Sequence, residues 1–350
     1  MYRRGVVKSS YRVAVVGIGA VGSEMIRVLK QRNFPCESLQ VFARSARPEV
    51  VDGVTYQVEQ VTEECFDNID VAFFAGGEKA DDHFGMRALN RRKQAPGLSD
   101  LVIIDNGNAF RMYPNVPLVV PEVNPDTLRD HQGMIANPNC STIQMVVALK
   151  PLHDVARIKR IVVSTYQAVS GKSAQAREEL FKQTCDVAAG RTPAVDPSIF
   201  PYPIFGNCLP HIDVFLPDGY TKEEQKMILE TRKILCDDTI QVSPTTVRVP
   251  VDNSHAESIN VEFFEPISVE KAREVLAGAP GVVLQDDPAH NRYPLQADAS
   301  GTDDVYVGRL RQDRSVPFGL NMWVVADNLR KGAALNTIQI AEKMREMGLL

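Results

Sequence analysis

Val13-Ala14-Val15-Val16 is a short unbroken apolar run, the pattern of a strand buried on both faces. Behind it, Met25, Ile26, Val28 and Leu29 recur at helical spacing. Residues 39–42, 71–75, 101–105, 118–121 and 133–136 are further short apolar runs that read as strands. Residues 91–100, with Pro96 and Gly97, read as a surface loop. Strand and helix alternating from Tyr11 to about Pro138 predict an α/β domain with a Rossmann-like, doubly wound parallel sheet.

Beyond residue 138 the pattern changes. Helical stretches are expected over 142–152, 174–184 and 221–235, the last with Met227, Ile228 and Ile234 apolar among charged neighbours. Strands are expected over 160–166, 246–251, 258–264, 305–308 and 322–325. Residues 193–210 are too rich in proline for a helix and read as loop. Long strands with fewer helices between them predict an α+β domain on a mixed sheet. The expected boundaries are 1–138 for the first domain and 139–330 for the second. Residues 331–350 hold a helix, over 333–347, that packs back on the first domain.

Composition narrows the function. The 350 residues suffice for two domains, and 44% hydrophobic with 24% charged residues is the balance of a globular chain with a core. A net charge of −5 and a pI of about 5.8 offer no basic field to nucleic acid. Six cysteines, at 36, 65, 140, 185, 208 and 236, form no CxxC pair and have no histidine at ligand spacing. Neither a metal site nor a disulfide framework is expected. No apolar run reaches the roughly 18 residues of a membrane span, and residues 1–10 lack the apolar core of a signal peptide. A cytoplasmic protein with no nucleic-acid or membrane partner is expected.

Two stretches carry chemistry. The first is Gly17-Ile18-Gly19-Ala20-Val21-Gly22, set between a strand and a helix as a dinucleotide site requires. Gly17 permits the tight turn, Gly19 lets a pyrophosphate approach the backbone, and Gly22 lets helix and strand pack closely. The strand over 39–42 ends where an NAD site usually carries an acidic residue for the ribose. This chain has Ala43-Arg44-Ser45-Ala46-Arg47 instead, and a guanidinium grips a 2′-phosphate that a carboxylate would repel. NADP is therefore favoured over NAD. Gly76-Gly77 ends another strand where a cofactor could approach the backbone.

The second stretch is Asn137-Pro138-Asn139-Cys140-Ser141-Thr142, between an extended run and a helical one. Cys140 then stands at a helix N-terminus, where unpaired N–H groups favour a thiolate and can hold an oxyanion. Asn139 or Ser141 can cap the helix. A lone cysteine is otherwise a small buried hydrophobe. Arg248, in an otherwise apolar strand, calls for an anionic partner. His255 lies in a polar turn between two strands.

These stretches, with Thr165-Tyr-Gln-Ala-Val-Ser-Gly171, Arg248-Val-Pro-Val251 and Asp327-Asn-Leu-Arg-Lys-Gly-Ala-Ala-Leu-Asn336, resemble the aspartate-semialdehyde dehydrogenase family over about residues 11–346. The resemblance implies reductive dephosphorylation of aspartyl-4-phosphate to the semialdehyde with NADPH, on the route to lysine, threonine and methionine. It also implies a homodimer whose second domain is catalytic and supplies most of the interface. Carried over, Cys140 is the nucleophile, His255 the general acid/base, and Gln167 orients the intermediate. Arg248 holds the substrate carboxylate and Glu223 its ammonium. Arg111, Lys226 and Asn139 bind phosphate. Ser170, Gly171, Asn328 and Gln339 join Gly17, Gly19, Ala20, Val21, Gly22, Arg44, Ser45 and Gly76 around the cofactor.

Three departures accompany the resemblance. Gly107-Asn108 stands where the family commonly has Ser-Ser, and Lys172-Ser173 follows Gly171 where small residues are common. Gly17-Ile18-Gly19 replaces a Gly-Ala-Thr-Gly-type loop. The stem of Lys172 is expected to carry its charge to solvent. Two alternatives differ in class: a reductase of N-acetylglutamyl phosphate, and a non-catalytic NADP-binding paralogue. Glu223 argues against an acetylated amine, and the presence of Cys140 and His255 argues against loss of catalysis.

Overall fold

The structure, a computed structural model, describes residues 8–77, 79–94 and 100–350. The start of the leader reading (residues 1–7) and residues 95–99 of the expected loop lie outside the described residues. The chain forms two compact units, one running up to Asn139 and taking in Ala333–Leu350, the other Cys140–Gly332.

The first unit opens with β1 (Tyr11–Val16), α1 (Ala20–Gln31) and β2 (Cys36–Ala43). A hairpin, β3 (Arg47–Val51) and β4 (Val54–Gln60), follows, then β5 (Val71–Phe74), α2 (Phe84–Gln94), β6 (Val102–Asp105) and β7 (Met134–Ala136). Its sheet has the order β3-β4-β2-β1-β5-β6-β7 and is parallel except for β3 against β4. Strand order reverses between β1 and β5, the switch point where doubly wound sheets leave a crevice at their carboxyl ends. The hairpin was not expected. Its turn is Asp52-Gly53, both left-handed (φ 50° and 74°), as a two-residue hairpin turn demands.

Two expected elements differ. Residues 91–94 of the expected loop are the last turn of α2. Residues 118–121 form no strand; Leu118 makes a single bridge to Ala136, because Val120 already accepts turn hydrogen bonds from Val123 and Asn124.

The second unit begins with α3 (Cys140–Val155), followed by β8 (Ile158–Gln167) and α4 (Ala174–Ala188). Next come α5 (Lys222–Leu235), β9 (Gln241–Arg248), β10 (His255–Phe263), α6 (Val269–Ala277) and β11 (Val282–Leu284). It closes with α7 (Gln296–Ala299), β12 (Val305–Asp313) and β13 (Gly319–Ala326). The sheet runs β11-β12-β13-β10-β8-β9, with antiparallel pairs at its centre and parallel pairs at both edges. It is the mixed sheet of an α+β domain. Strand β9 ends at Arg248, earlier than expected: Arg248 N–H and C=O exchange bonds with Leu209 instead, and the chain then turns at Val249-Pro250-Val251.

Helices α3, α5 and α6 cover one face of this sheet. Helix α3 is buried almost all round, from Ser141 through Leu149 and at Leu152, so it is a core helix and not an amphipathic surface one. Thr221 caps α5 with a reciprocal box: its hydroxyl accepts from Glu224 N–H, and the Glu224 carboxylate accepts from Thr221 N–H.

A last helix, α8 (Leu335–Glu346), belongs to the first unit. Its apolar residues Leu335, Ile338, Ala341 and Met344 join the core of Val13, Val15, Met25, Ile26 and Leu29. A chain of amides ties it to the strand ends. Asn106 Nδ2 donates to Thr337 Oγ1 at 2.7 Å, Asn137 Nδ2 to Asn106 Oδ1 at 2.7 Å, and Asn336 Nδ2 to Asn137 Oδ1 at 2.7 Å. Asn137, three residues before the candidate nucleophile, is thereby fixed on two sides. Among the described residues no helix is long and apolar enough to cross a membrane.

The β1–α1 turn leaves no room for a side chain at Gly22, where a Cβ would lie 1.8 Å from the Gly17 carbonyl oxygen. Gly22→Ala must therefore push α1 off β1. The expected cost is on the order of 3 kcal/mol in chemical denaturation, with weaker dinucleotide binding. Unchanged stability and unchanged binding would show that the turn opens freely.

Candidate active site

In the first unit, Gly17, Arg44, Ser45 and Gly76 border one cleft of about 390 Å³, completed by Val16, Ala43, Arg47, Val61, Phe74 and Gly77. Gly17, Gly76 and Gly77 have φ of +92°, +108° and +95°, which side-chain-bearing residues avoid. A Cβ on Gly19 would meet nothing within 4 Å, so its backbone is open to approach. Ala20 and Val21 form the first turn of α1 beside Gly22, whose N–H groups offer an anion site. Arg44 donates from Nη2 to Gly77 O at 3.2 Å, which holds its guanidinium across the cleft mouth. Arg47 is engaged by Glu49 and Ser45. Positive-φ glycines, an open Gly19 and two arginines in place of a carboxylate fit a dinucleotide. Gln339 lies on α8 and does not border the cleft.

Arg111 is buried and turned onto its own loop: Nε donates to Gly107 O at 3.2 Å and Nη2 to Asn106 O at 2.8 Å. The departure at Gly107 has a local reason. Its N–H donates to Asp105 Oδ1 at 2.8 Å, and a Cβ there would lie 2.9 Å from the other carboxylate oxygen. Asn139 is the last residue of the first unit's opening stretch.

In the second unit, Cys140 is the first residue of α3. Ser141 is therefore inside the helix and does not cap it; Asn139 alone precedes the first turn. Gly332 approaches Cys140 so closely that a Cβ on it would lie 2.8 Å from Cys140 Cβ. The thiol also lies within the field of the Arg248 charge. Arg248, only 6% exposed, donates from Nη1 to Ala168 O at 2.7 Å. Burial lowers its pKa, and the charges of Glu223 and Cys140 oppose that shift.

His255 is fully buried at the first position of β10, not in a turn. Its Nδ1 accepts from Ala168 N–H at 3.1 Å, so the neutral ring carries its proton on Nε2. Burial, and then the Arg248 charge, hold its pKa well below the usual histidine range. Gly171 is required here, because a Cβ would sit 2.9 Å from the His255 ring and 3.2 Å from Arg248 Nη1.

Gln167 ends β8, with Oε1 accepting from Thr165 Oγ1 at 3.2 Å and Nε2 donating to Glu223 Oε1 at 3.2 Å. Lys226 Nζ donates to Glu223 Oε2 at 3.1 Å and to Asp213 Oδ2 at 2.8 Å. Asn328 bridges the Ser170 hydroxyl and the Ser254 N–H. Cys140, Gln167, Ser170, Gly171, Glu223, Lys226, Arg248, His255 and Asn328 thus belong to one unit. Gly19, Ala20, Val21 and Gly22 lie beside the cleft without lining it. Lys172 is exposed, with its ammonium 5.7 Å from the centroid of the Phe200 ring, a cation–π contact its sequence setting did not suggest.

Three residues here were not singled out from the sequence. Asp213 and Gly332 approach through the fold alone. Glu257 follows His255 by two positions and so faces the same side of β10. It is fully buried, and burial raises its pKa well above the usual carboxylate range, with the Gln144 side chain opposing that shift. Its neighbour is Gln144, one turn along α3 from Cys140.

Residues 12–131 match the family described as semialdehyde dehydrogenase, NAD binding domain, and residues 149–331 the semialdehyde dehydrogenase, dimerisation domain. The chain is 51% identical over 348 residues to an aspartate-semialdehyde dehydrogenase of Aquifex aeolicus, covering 97% of this chain and 99% of that one. Its counterpart from Bacillus subtilis is 43% identical over 350 residues, covering 97% and 98%. Among solved structures, aspartate semialdehyde dehydrogenase II from Vibrio cholerae, complexed with ASA, is similar at TM-score 0.88 and 43% identity, covering 97% and 99%.

Glu257 generates a stability test. As pH rises past the ordinary glutamate pKa the unfolded chain releases this proton while the folded chain keeps it, so the folded state loses relative stability. Glu257→Gln removes that loss. Its melting temperature should exceed the parent's by a margin that widens from about pH 5 to about pH 8. A constant margin, or none, means that Glu257 is ionised in the folded protein.

Proposed function

The chain belongs to the aspartate-semialdehyde dehydrogenase family, and from that premise we propose how its own residues carry the reaction. It is a nicotinamide-dependent oxidoreductase acting on an aldehyde group in amino-acid biosynthesis. The reaction is the reversible conversion of aspartyl-4-phosphate to aspartate-4-semialdehyde with release of phosphate. The observation that carries this reading is the setting of Cys140, the first residue of a buried helix and within the field of the Arg248 charge, with His255 in turn under that same charge.

Cys140 attacks the acyl carbon as thiolate, the α3 N-terminus and Arg248 favouring its charge. Phosphate leaves and a thioester remains. The hydride, which a nicotinamide would supply when bound, goes to the acyl carbon, and the C–S bond then breaks to release the aldehyde and return the Cys140 thiolate. His255 acts as donor: its Nε2 proton faces the oxyanion that forms on the carbonyl oxygen, and Ala168 N–H keeps that tautomer in place. Arg248 binds the substrate α-carboxylate and Glu223 its ammonium, which supports an unblocked amino acid over an N-acetylated one. Gln167, tied to Glu223 and Thr165, orients the intermediate. Arg111, Lys226 and Asn139 bind phosphate. Thioester formation and collapse both run through one sulfur, so Cys140→Ala should abolish phosphate-dependent oxidation of aspartate semialdehyde while melting as the parent does. Residual turnover above a trace would remove Cys140 from its role.

NADP is the proposed cofactor, with Arg44 and Arg47 facing the 2′-phosphate, Ser45, Gly76 and the Gly17–Gly22 turn holding the adenylate side, and Ser170, Gly171, Asn328 and Gln339 the nicotinamide side. Six cysteines without a disulfide support a reducing, cytoplasmic home. A homodimer is supported by the dimerisation-domain match and by exposed Phe181, Tyr202, Val214 and Phe215 on the second unit. Arg44→Asp should weaken NADP about tenfold or more, the loss of one charge-assisted hydrogen bond, and NAD much less. Equal losses in the two Kd values would take Arg44 away from the 2′-phosphate.

A further inference from the structure

Asp213 lies in the irregular segment before α5, and its backbone is left-handed with φ 68°, a conformation that aspartate and asparagine tolerate better than other side-chain-bearing residues. Both carboxylate oxygens are engaged. Oδ1 accepts from its neighbour Val214 N–H at 2.9 Å, and Oδ2 accepts from Lys226 Nζ at 2.8 Å. Lys226 is thus shared between two carboxylates, Asp213 and Glu223. Burial pulls the ammonium down, but Glu223 and Asp213 more than offset it and leave its pKa raised. Asp213 is lowered in turn: burial works against ionisation, and the Lys226 bond and charge outweigh it.

Charge balance gives this arrangement a purpose. Lys226 with Glu223 alone would sum to zero, and nothing would remain to attract a second ammonium. Lys226 with both carboxylates sums to −1. We propose that Asp213 is a positioning residue of the substrate site, which draws Lys226 away from Glu223 and leaves Glu223 with negative charge for the substrate ammonium. The inference rests on the reading of Glu223 given above. Arg248, the cation next to Glu223, supplies the opposite sign for the carboxylate, so a zwitterion meets a matched pair.

The test separates charge from backbone. Asparagine tolerates the left-handed conformation and can still accept from Val214 N–H, so Asp213→Asn removes the charge and keeps the turn. Steady-state kinetics should then give a semialdehyde KM raised about tenfold, the scale of one part-buried charge contact, with kcat held within about threefold. In the double variant Asp213→Asn/Lys226→Gln, the Lys226 charge no longer neutralises Glu223 and the semialdehyde KM should return toward the parent value, although the phosphate KM rises. Glu223→Gln is the reference arm. If it raises the semialdehyde KM and Asp213→Asn does not, the positioning role is wrong and the Glu223 reading stands. A double variant no better than Asp213→Asn also overturns it. If Glu223→Gln leaves that KM unchanged, the Glu223 reading itself falls, and the inference with it.

Discussion

A guanidinium inside a protein must be answered on every side, and Arg248 sets the terms for the second unit. Its bond to Ala168 O fixes the chain just after β8. The same residue turns its N–H onto His255. Its backbone pairs with Leu209, which starts the segment that delivers Asp213. Its charge leans on Glu223 and Cys140 and presses the His255 proton away. One buried cation therefore acts on a thiol, an imidazole and a carboxylate that come from distant parts of the chain. Replacing it with an apolar residue would leave the buried Ala168 carbonyl without this donor, a larger loss than the hydrogen bond itself is worth.

What could be read in the chain was local chemistry. Gly17, Gly19 and Gly22 announce a turn because each glycine answers a nearby backbone demand. Cys140 announces itself because a strand-to-helix junction is visible in periodicity. Arg248 stood out as a charge in an apolar run. Asp213 and Glu257 did not, since an aspartate in a loop and a glutamate in an alternating strand look like solvated charge until the fold closes over them. Gly332 was unreadable for a related reason. Nothing in its own neighbours says that Cys140 will pack against it.

The first unit differs in what was missed. The β3–β4 hairpin carries its signal in Asp52-Gly53, flanked by valines and threonine, but the arginines at 44 and 47 were read for their charge alone and the residues after them were given no element. Residues 118–121 look like a strand by composition. They fail to become one because the Asn124 side chain takes the Val120 N–H and donates to Leu118 O. Side-chain bonds of this kind compete with sheet pairing and are invisible to apolar patterning. The Gly107 departure belongs here too: the Asp105 carboxylate fills the space a serine Cβ would need.

Helix α3 is buried from Ser141 through Leu149 and at Leu152, and the proposed nucleophile, itself part-exposed, is its first residue. Most active-site elements belong to regions that open easily. Here the amides behind the thiol belong to the part of the unit whose hydrogen exchange should require global opening. The reactive sulfur has little local unfolding route to escape its neighbours or to meet oxidants in a loosened state. Loss of activity on heating and loss of the fold are then one event, and the lifetime of the nucleophile is the lifetime of the domain.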